Sequence, residues 1–198
     1  AKVTRFAKGD RVFGFDDVGW GGHAQYKVIA QDRAIAAIPP GVSYEQAAAS
    51  TEGAHYALCY IRAARVRAGT RVLVHGATGA IGSAAVQLLK HAGARVVATS
   101  HTRNVELVAS LGADRVIDHE QTDFTACGEE FDVVFDAVGK SSFGACRRLL
   151  APRGIYVSTE LGAMGQNPLL GLASPLFRLA GARRVLFPLP RYDQADIE

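Results

Sequence analysis

The sequence predicts an α/β fold, a doubly wound parallel sheet with part of an antiparallel β unit ahead of it. Three observations predict it. From residue 71 onward, short apolar runs alternate with stretches whose apolar residues recur at helical spacing, the pattern of βαβ units with buried strands. A glycine-rich turn joins the first of these runs to the first of these helices. Ahead of them, residues 1–42 carry turn residues and period-two alternation, and Pro39-Pro40-Gly41 closes that segment. The chain therefore divides into a partial β unit, 1–42, and a parallel-sheet domain, 43–198.

Within the first unit, residues 11–15 and 24–29 read as strands. Ser43-Tyr44-Glu45-Gln46 has the form of a capping box, in which the hydroxyl satisfies a free helix amide and the glutamine reaches back to the cap. A helix starts there and runs into Ala47, Ala48 and Ala49, and a second covers about residues 53–65. The continuous apolar run Val72-Leu73-Val74 is a strand buried on both faces. After it, Ile81, Ala84, Ala85, Leu88, Leu89 and Ala92 form one stripe of a helix. Further strands fall at 95–99, 115–117, 131–135 and 155–158, with helices at about 104–111 and 142–150 and a last, edge strand at 184–187.

Composition narrows the function. The 198 residues are 48% apolar and 21% charged, enough for one sizeable core. No apolar run approaches the roughly 18 residues of a membrane span, and Ala1-Lys2-Val3-Thr4-Arg5 lacks the unbroken apolar stretch expected of a secretory signal. Cys59, Cys127 and Cys146 are too unevenly spaced for a disulfide framework or a CxxC metal site, so a cytoplasmic location is expected. With 22 basic and 19 acidic residues interspersed, no basic stripe marks a nucleic-acid or membrane partner. A small-molecule substrate is expected instead.

The strongest motif is Ala77-Thr78-Gly79-Ala80-Ile81-Gly82, which matches A-x-G-x-x-G between an apolar strand and an amphipathic helix. Small residues there let the chain turn tightly and let backbone amides approach a pyrophosphate at the positive end of a helix. A ligand-free glycine turn is the bland alternative. About 20 residues on, an NAD site places an acid at the second strand end to hold the ribose. This chain has Ser100, His101 and Arg103 in Thr99-Ser100-His101-Thr102-Arg103-Asn104, a set suited to a 2′-phosphate, so NADPH is favoured over NADH. A solvated Arg103 on the first turn is the alternative reading. The carboxyl ends of later strands complete the cleft, which brings in Ala137, Val138 and Gly139 after Asp136, and Thr159 and Leu161 after Ser158.

With Gly9-Asp10-Arg11-Val12-Phe13-Gly14, Gly22-His23-Ala24-Gln25-Tyr26, the glycine loop, Leu111-Gly112-Ala113-Asp114 and Phe131-Asp132-Val133-Val134-Phe135-Asp136-Ala137-Val138-Gly139 in this order, the chain resembles the medium-chain dehydrogenase/reductase superfamily, in particular its zinc-independent quinone oxidoreductase branch. The resemblance implies a Rossmann domain coupled to a GroES-like β domain, of which residues 1–42 are a part, in a piece of a larger reductase. It implies transfer of hydride from NADPH to a quinone or an α,β-unsaturated carbonyl. It puts Asn104 and His119 where relatives commonly hold the 2′-phosphate with a lysine and a tyrosine, and Thr51 where zinc enzymes of the family carry a cysteine ligand. No zinc is expected, because threonine is a poor zinc ligand beside a thiolate. It also implies a homodimer joined across the edge strand at 185–187.

Several residues keep two readings. His55, aligned near the nicotinamide, could bond cofactor or substrate or be a structural helix histidine. Tyr26 could donate a proton or be a strand aromatic. Asp136 could shape the cleft or cap a turn, and Cys59 reads as core. A non-catalytic NADPH-binding module and a methyltransferase are the competing functions, the latter disfavoured by the missing ribose acid.

Overall fold

The computed structural model describes residues 3–16, 21–162 and 165–189, and residue 197. Strand β1 (Val12–Gly14) pairs antiparallel with β2 (Ile35–Ala37) in a small sheet. Helix α1 (Tyr44–Ala63) follows, and then β3 (Arg71–His75), α2 (Ala80–His91), β4 (Arg95–Ser100), α3 (Val105–Ser110), β5 (Arg115–Asp118) and β6 (Phe131–Asp136). The chain continues through α4 (Phe143–Cys146), β7 (Leu150–Ser158), α5 (Gln166–Leu172), α6 (Ser174–Leu179) and β8 (Arg184–Leu186). The second sheet is six-stranded and parallel, in the order β5-β4-β3-β6-β7-β8. Strands β4 and β5 build outward on one side of β3, and β6, β7 and β8 on the other. The order reverses between β3 and β6, which opens a crevice at their carboxyl ends, where a doubly wound sheet binds its ligand.

Two cores follow from strand alternation. Val72 and Val74 join Tyr60, Val86, Leu89 and Phe135 on one face of the sheet. Leu73, between them, joins Val97, Val134, Leu150, Tyr156 and Val185 on the other. Strands covered on both faces need apolar residues at every position, and each such side chain contributes about 1.5–3 kcal/mol of burial. No helix among the described residues is long and apolar enough to cross a membrane.

The structure corrects the sequence reading in four places. Residues 24–29 form no strand; Tyr26 is 92% and Val28 100% exposed. β1 pairs with Ile35–Ala37 instead, because Ala34, Ile35, Ala36 and Ile38 have a core to enter and alternation without burial does not hold a strand. The helices expected at 43–49 and 53–65 are one helix, capped by Ser43 and Gln46 as expected and unbroken at Gly53. A Cβ on Gly53 would lie 2.4 Å from the Ala80 carbonyl oxygen, so this glycine serves close packing of α1 on α2, not a break. Strand β7 starts at Leu150, ahead of Pro152, and a register shift between Phe131 and Val133 of β6 absorbs the proline. Helices α5 and α6, read as loop from the sequence, bridge β7 to β8.

Candidate functional site

The loop between β3 and α2 is shaped by glycine. Gly76 has φ +85°, and a Cβ there would lie 2.4 Å from Val138 Cγ1. A Cβ on Gly82 would lie 2.1 Å from the Gly76 carbonyl oxygen, so the first turn of α2 rests directly on the loop. A Cβ on Gly79, the helix N-cap, would meet nothing nearer than the Gly76 oxygen at 3.8 Å, and Gly79 has no capping side chain. Ser83 is the first residue whose amide finds an intrahelical acceptor, the Gly79 carbonyl at 2.9 Å, which leaves the amides of 80–82 directed out of the helix end. No acid stands in that first turn. A cradle closed to a Cβ at Gly76 and Gly82 and open at Gly79, at the positive end of a 12-residue helix, fits the diphosphate of a dinucleotide.

Buried polar groups anchor this loop. Thr99, fully buried at the end of β4, accepts the Gly76 amide on its hydroxyl (3.3 Å) and the Ala77 amide on its carbonyl (3.2 Å), and its hydroxyl meets His75 Nδ1 at 2.8 Å. His75 stacks on Phe124, ring centroids 4.4 Å apart. Burial pushes its pKa down against the opposing pull of Asp136, which keeps the ring neutral. Across the crevice, the Asp136 carboxylate, fully buried, accepts the amides of Val138 (3.2 Å), Gly139 (2.9 Å) and Ser141 (3.0 Å) and the hydroxyl of Tyr156 (2.9 Å). Burial and the Asp136 charge both raise the Tyr156 pKa, so this tyrosine stays a donor. Asp136 therefore folds the loop after β6, and of its two sequence readings the structure favours the turn cap. Ala137 ties that loop to His75, its amide on the His75 carbonyl at 3.0 Å.

A cleft of about 760 Å³ runs from Thr78 and Gly79 past Ser100 and His101 to His119, Glu120 and Asp123, with Val138 and Lys140 on the far rim. At its β4 end, Glu120 accepts the Thr102 amide (3.0 Å) and lies 3.4 Å from His101 Nδ1. Asp118 accepts the Thr102 hydroxyl (2.6 Å) and the Glu120 amide (3.0 Å). These bonds hold both carboxyls below their ordinary range, the Thr102 hydroxyl acting first on Asp118 and the Thr102 amide first on Glu120. The His119 ring sits edge-on to His101, centroids 4.4 Å apart.

Of the sequence candidates, Thr78, Gly79, Ser100, His101, His119 and Val138 line this cleft together. Arg103 and Asn104 occupy the short 3₁₀ turn Thr102–Asn104 beyond its wall, with Arg103 exposed. Ala77 and Gly82 are buried beneath the loop, while Ala80 and Ile81 form the start of α2. Gly139 packs on Glu160; Thr159 donates its amide to the Asp136 carbonyl (3.2 Å), and Leu161 is 59% exposed. His55 is buried against Phe15 (5.5 Å) and Tyr56 (5.8 Å), where α1 meets the small sheet. Thr51 donates its hydroxyl within its own helix, to Ala48 at 2.9 Å. Among the described residues no group of three or more His, Cys, Asp or Glu could hold a metal ion. Sequence reasoning missed Asp118 and Glu120, because it sought an acid along β4 while the sheet delivers two from its neighbour β5. Strand order would have found them.

A family model described as zinc-binding dehydrogenase matches residues 80–195, from the first turn of α2 past β8. The chain belongs to the zinc-binding dehydrogenase family. Two of its relatives carry reductase or oxidoreductase names. One is the quinone oxidoreductase of Pongo abelii, 32% identical over 84% of the chain and 53% of that protein. Another is the 2-methylene-furan-3-one reductase of Solanum lycopersicum, 33% identical over 71% of the chain and 38% of the enzyme. The solved quinone oxidoreductase from Coxiella burnetii superposes on 98% of the chain with a TM-score of 0.81 at 26% identity, and the chain covers 60% of it. The dehydrogenase-family chain thus spans about half the length of these proteins. Its parallel sheet and small antiparallel sheet are those of the medium-chain dehydrogenase/reductase fold expected from sequence.

Proposed function

We propose that this chain is the cofactor-binding part of an NADPH-dependent oxidoreductase that reduces a quinone or an α,β-unsaturated carbonyl without zinc. The observation that carries the reading is the cradle at 76–82, an open helix terminus between closed glycines at the point where the strand order reverses. When bound, the nicotinamide cofactor supplies the hydride, and the protein supplies orientation and a dry cleft. The amides of 80–82 would hold the diphosphate, and Thr99 and Asp136 fix the two loops that flank it. Thr78 lines the cleft where the chain of the dinucleotide would cross. Ser100, His101 and His119 would face the adenosine ribose, with Arg103 and Asn104 adjoining. The reductase names of the relatives support hydride transfer to a conjugated acceptor.

Threonine at position 51, bonded within its own helix, supports a metal-free site. The wide, uneven spacing of Cys59, Cys127 and Cys146 supports a reducing, cytoplasmic setting. The apolar edge strand β8 supports a homodimer that continues the sheet across it. The test is direct. The chain titrated with NADPH and NADH should be stabilised thermally by both and more by NADPH, and the complete gene product should oxidise NADPH with a quinone and enone panel. Stabilisation without turnover would support a nucleotide-binding module; stabilisation by S-adenosylmethionine alone would sink the reading.

A further inference from the structure

We propose that pH sets the choice between a 2′-phosphorylated and an unphosphorylated dinucleotide at this cleft, through His101 and His119 acting against the carboxylate of Glu120. The inference rests on the dinucleotide reading above and concerns the ribose end of the site alone.

The wall at the ends of β4 and β5 holds an unusual set of charges. Carboxylates Glu120 and Asp123 line the cleft from the β5 side and Lys140 from the loop after β6, while Asp118 lies behind them, bonded to Thr102 and to the Glu120 amide. His101 comes from β4 and His119 from β5, their rings in edge contact, and His101 also lies against Glu120. Arg103 stands just outside. His75, from β3, is held neutral by burial against Phe124 and does not enter the balance. Asp136 is buried and spends its oxygens on the loop after β6.

Histidine side chains as a class change charge between pH 5 and 8. With both imidazoles neutral, two carboxylates lining the cleft face one ammonium. That field repels a 2′-phosphate, whereas the carboxylates can accept bonds from a ribose hydroxyl. With both imidazoles protonated, three cations outweigh the two carboxylates, and two imidazoliums present N–H donors that pair with phosphate by charge-assisted bonds. The side chains of His101 and Glu120 are 51% and 50% exposed, so protons reach them without unfolding and the effect is screened, not abolished, by solvent. The wall is thus built to favour NADPH at low pH and to relax toward NADH as pH rises.

Calorimetric titration of the chain with 2′,5′-ADP and with 5′-AMP isolates the 2′-phosphate, because the 5′-phosphate is common to both. The ratio of dissociation constants, AMP over 2′,5′-ADP, should rise roughly tenfold from about pH 8 to about pH 6. The ligand works in the opposite direction, since a phosphate monoester loses charge near pH 6, so a rise must come from the protein. The double variant His101→Gln/His119→Gln should show a flat or inverted ratio. Glu120→Gln should strengthen 2′,5′-ADP binding relative to AMP at about pH 8 and so raise the ratio there. Circular dichroism identical to wild type confirms that these substitutions, at exposed His101 and Glu120 and half-buried His119, leave the fold intact. Binding of both nucleotides with a pH-independent ratio, or a rise that persists in the double variant, overturns the switch and leaves the dinucleotide site standing. Failure of either nucleotide to bind at any pH overturns the site and the switch together.

Discussion

The two ends of the six-stranded sheet are built from different polar residues. At the amino end, β3, β4, β5 and β8 each begin with an arginine: Arg71, Arg95, Arg115 and Arg184. At the carboxyl end, β3, β4, β6 and β7 finish on His75, Ser100, Asp136 and Ser158, all buried. The arginines are exposed or half-buried and satisfy themselves at the surface, Arg71 with Asp132 and Arg115 with Glu129. Arginines also complement the negative carbonyl ends of helices, which in a parallel α/β unit lie on that side. A cavity of about 570 Å³ opens there too, lined by Arg65, Arg67, Arg153 and Arg184. Size therefore does not distinguish the functional end. Buried polar side chains do, because each costs stability unless it is bonded, and here each bond shapes a loop around the crevice.

If that contrast is right, the largest effect comes from the glycine that seats α2. Gly82→Val places side-chain atoms where its Cβ alone would sit 2.1 Å from a backbone oxygen, so the loop or the helix must move. Nucleotide affinity should fall at least about a hundredfold, the scale of an ångström-sized misplacement, as measured by calorimetry against NADPH. Retained affinity would mean that the cradle is not where the diphosphate lies.

Next comes Asp136→Asn, which replaces one acceptor oxygen by a donor facing backbone amides and the Tyr156 hydroxyl. The expected loss is about 3 kcal/mol in urea unfolding, with Arg95→Ala as the amino-end control.

A smaller effect separates the ends by pH. Burial lowers the pKa of His75 below the ordinary histidine value, so between the folded and unfolded values the unfolded chain binds more protons. This contribution to stability is complete above about pH 6.5 and is lost as pH falls from there through the folded value. The urea midpoint should therefore decline below neutrality in the wild type and decline less in His75→Gln.

These expectations also show what the sequence made legible. The glycine loop was readable because three constraints coincide in a few residues: an apolar strand, small residues in register, and an amphipathic helix. The start of β4 was readable too, since Val96, Val97 and Ala98 form the continuous apolar run of a strand buried on both faces. Residues 24–29 misled because alternation reports only that a strand is possible, not that a partner exists, whereas the less regular run at 34–38 had a core to enter. Helix α1 was read as two, at 43–49 and about 53–65; a Cβ on Gly53, within its unbroken run, would lie 2.4 Å from the carbonyl oxygen of Ala80, a contact that linear spacing does not show. The acids at the ribose end were invisible for the same kind of reason. Asp118 and Glu120 lie within reach of Thr102 through parallel pairing of β5 with β4, and linear spacing carries no trace of it.

The smallest expected effect is the most diagnostic of the contrast. Arg71→Ala removes an ion pair at 3.1 Å whose partners are 44% and 42% exposed. Exposed pairs of this kind contribute about 0–1 kcal/mol, and Asp132 would keep its bond from the Arg71 backbone amide at 2.9 Å. Urea unfolding should shift by less than about 1 kcal/mol, less still at high salt, and NADPH affinity should not move. A cost comparable to that of Asp136→Asn would show that the arginine-lined end is also held by demanding polar contacts, and burial of the polar strand residue would no longer mark which end of the sheet carries the function.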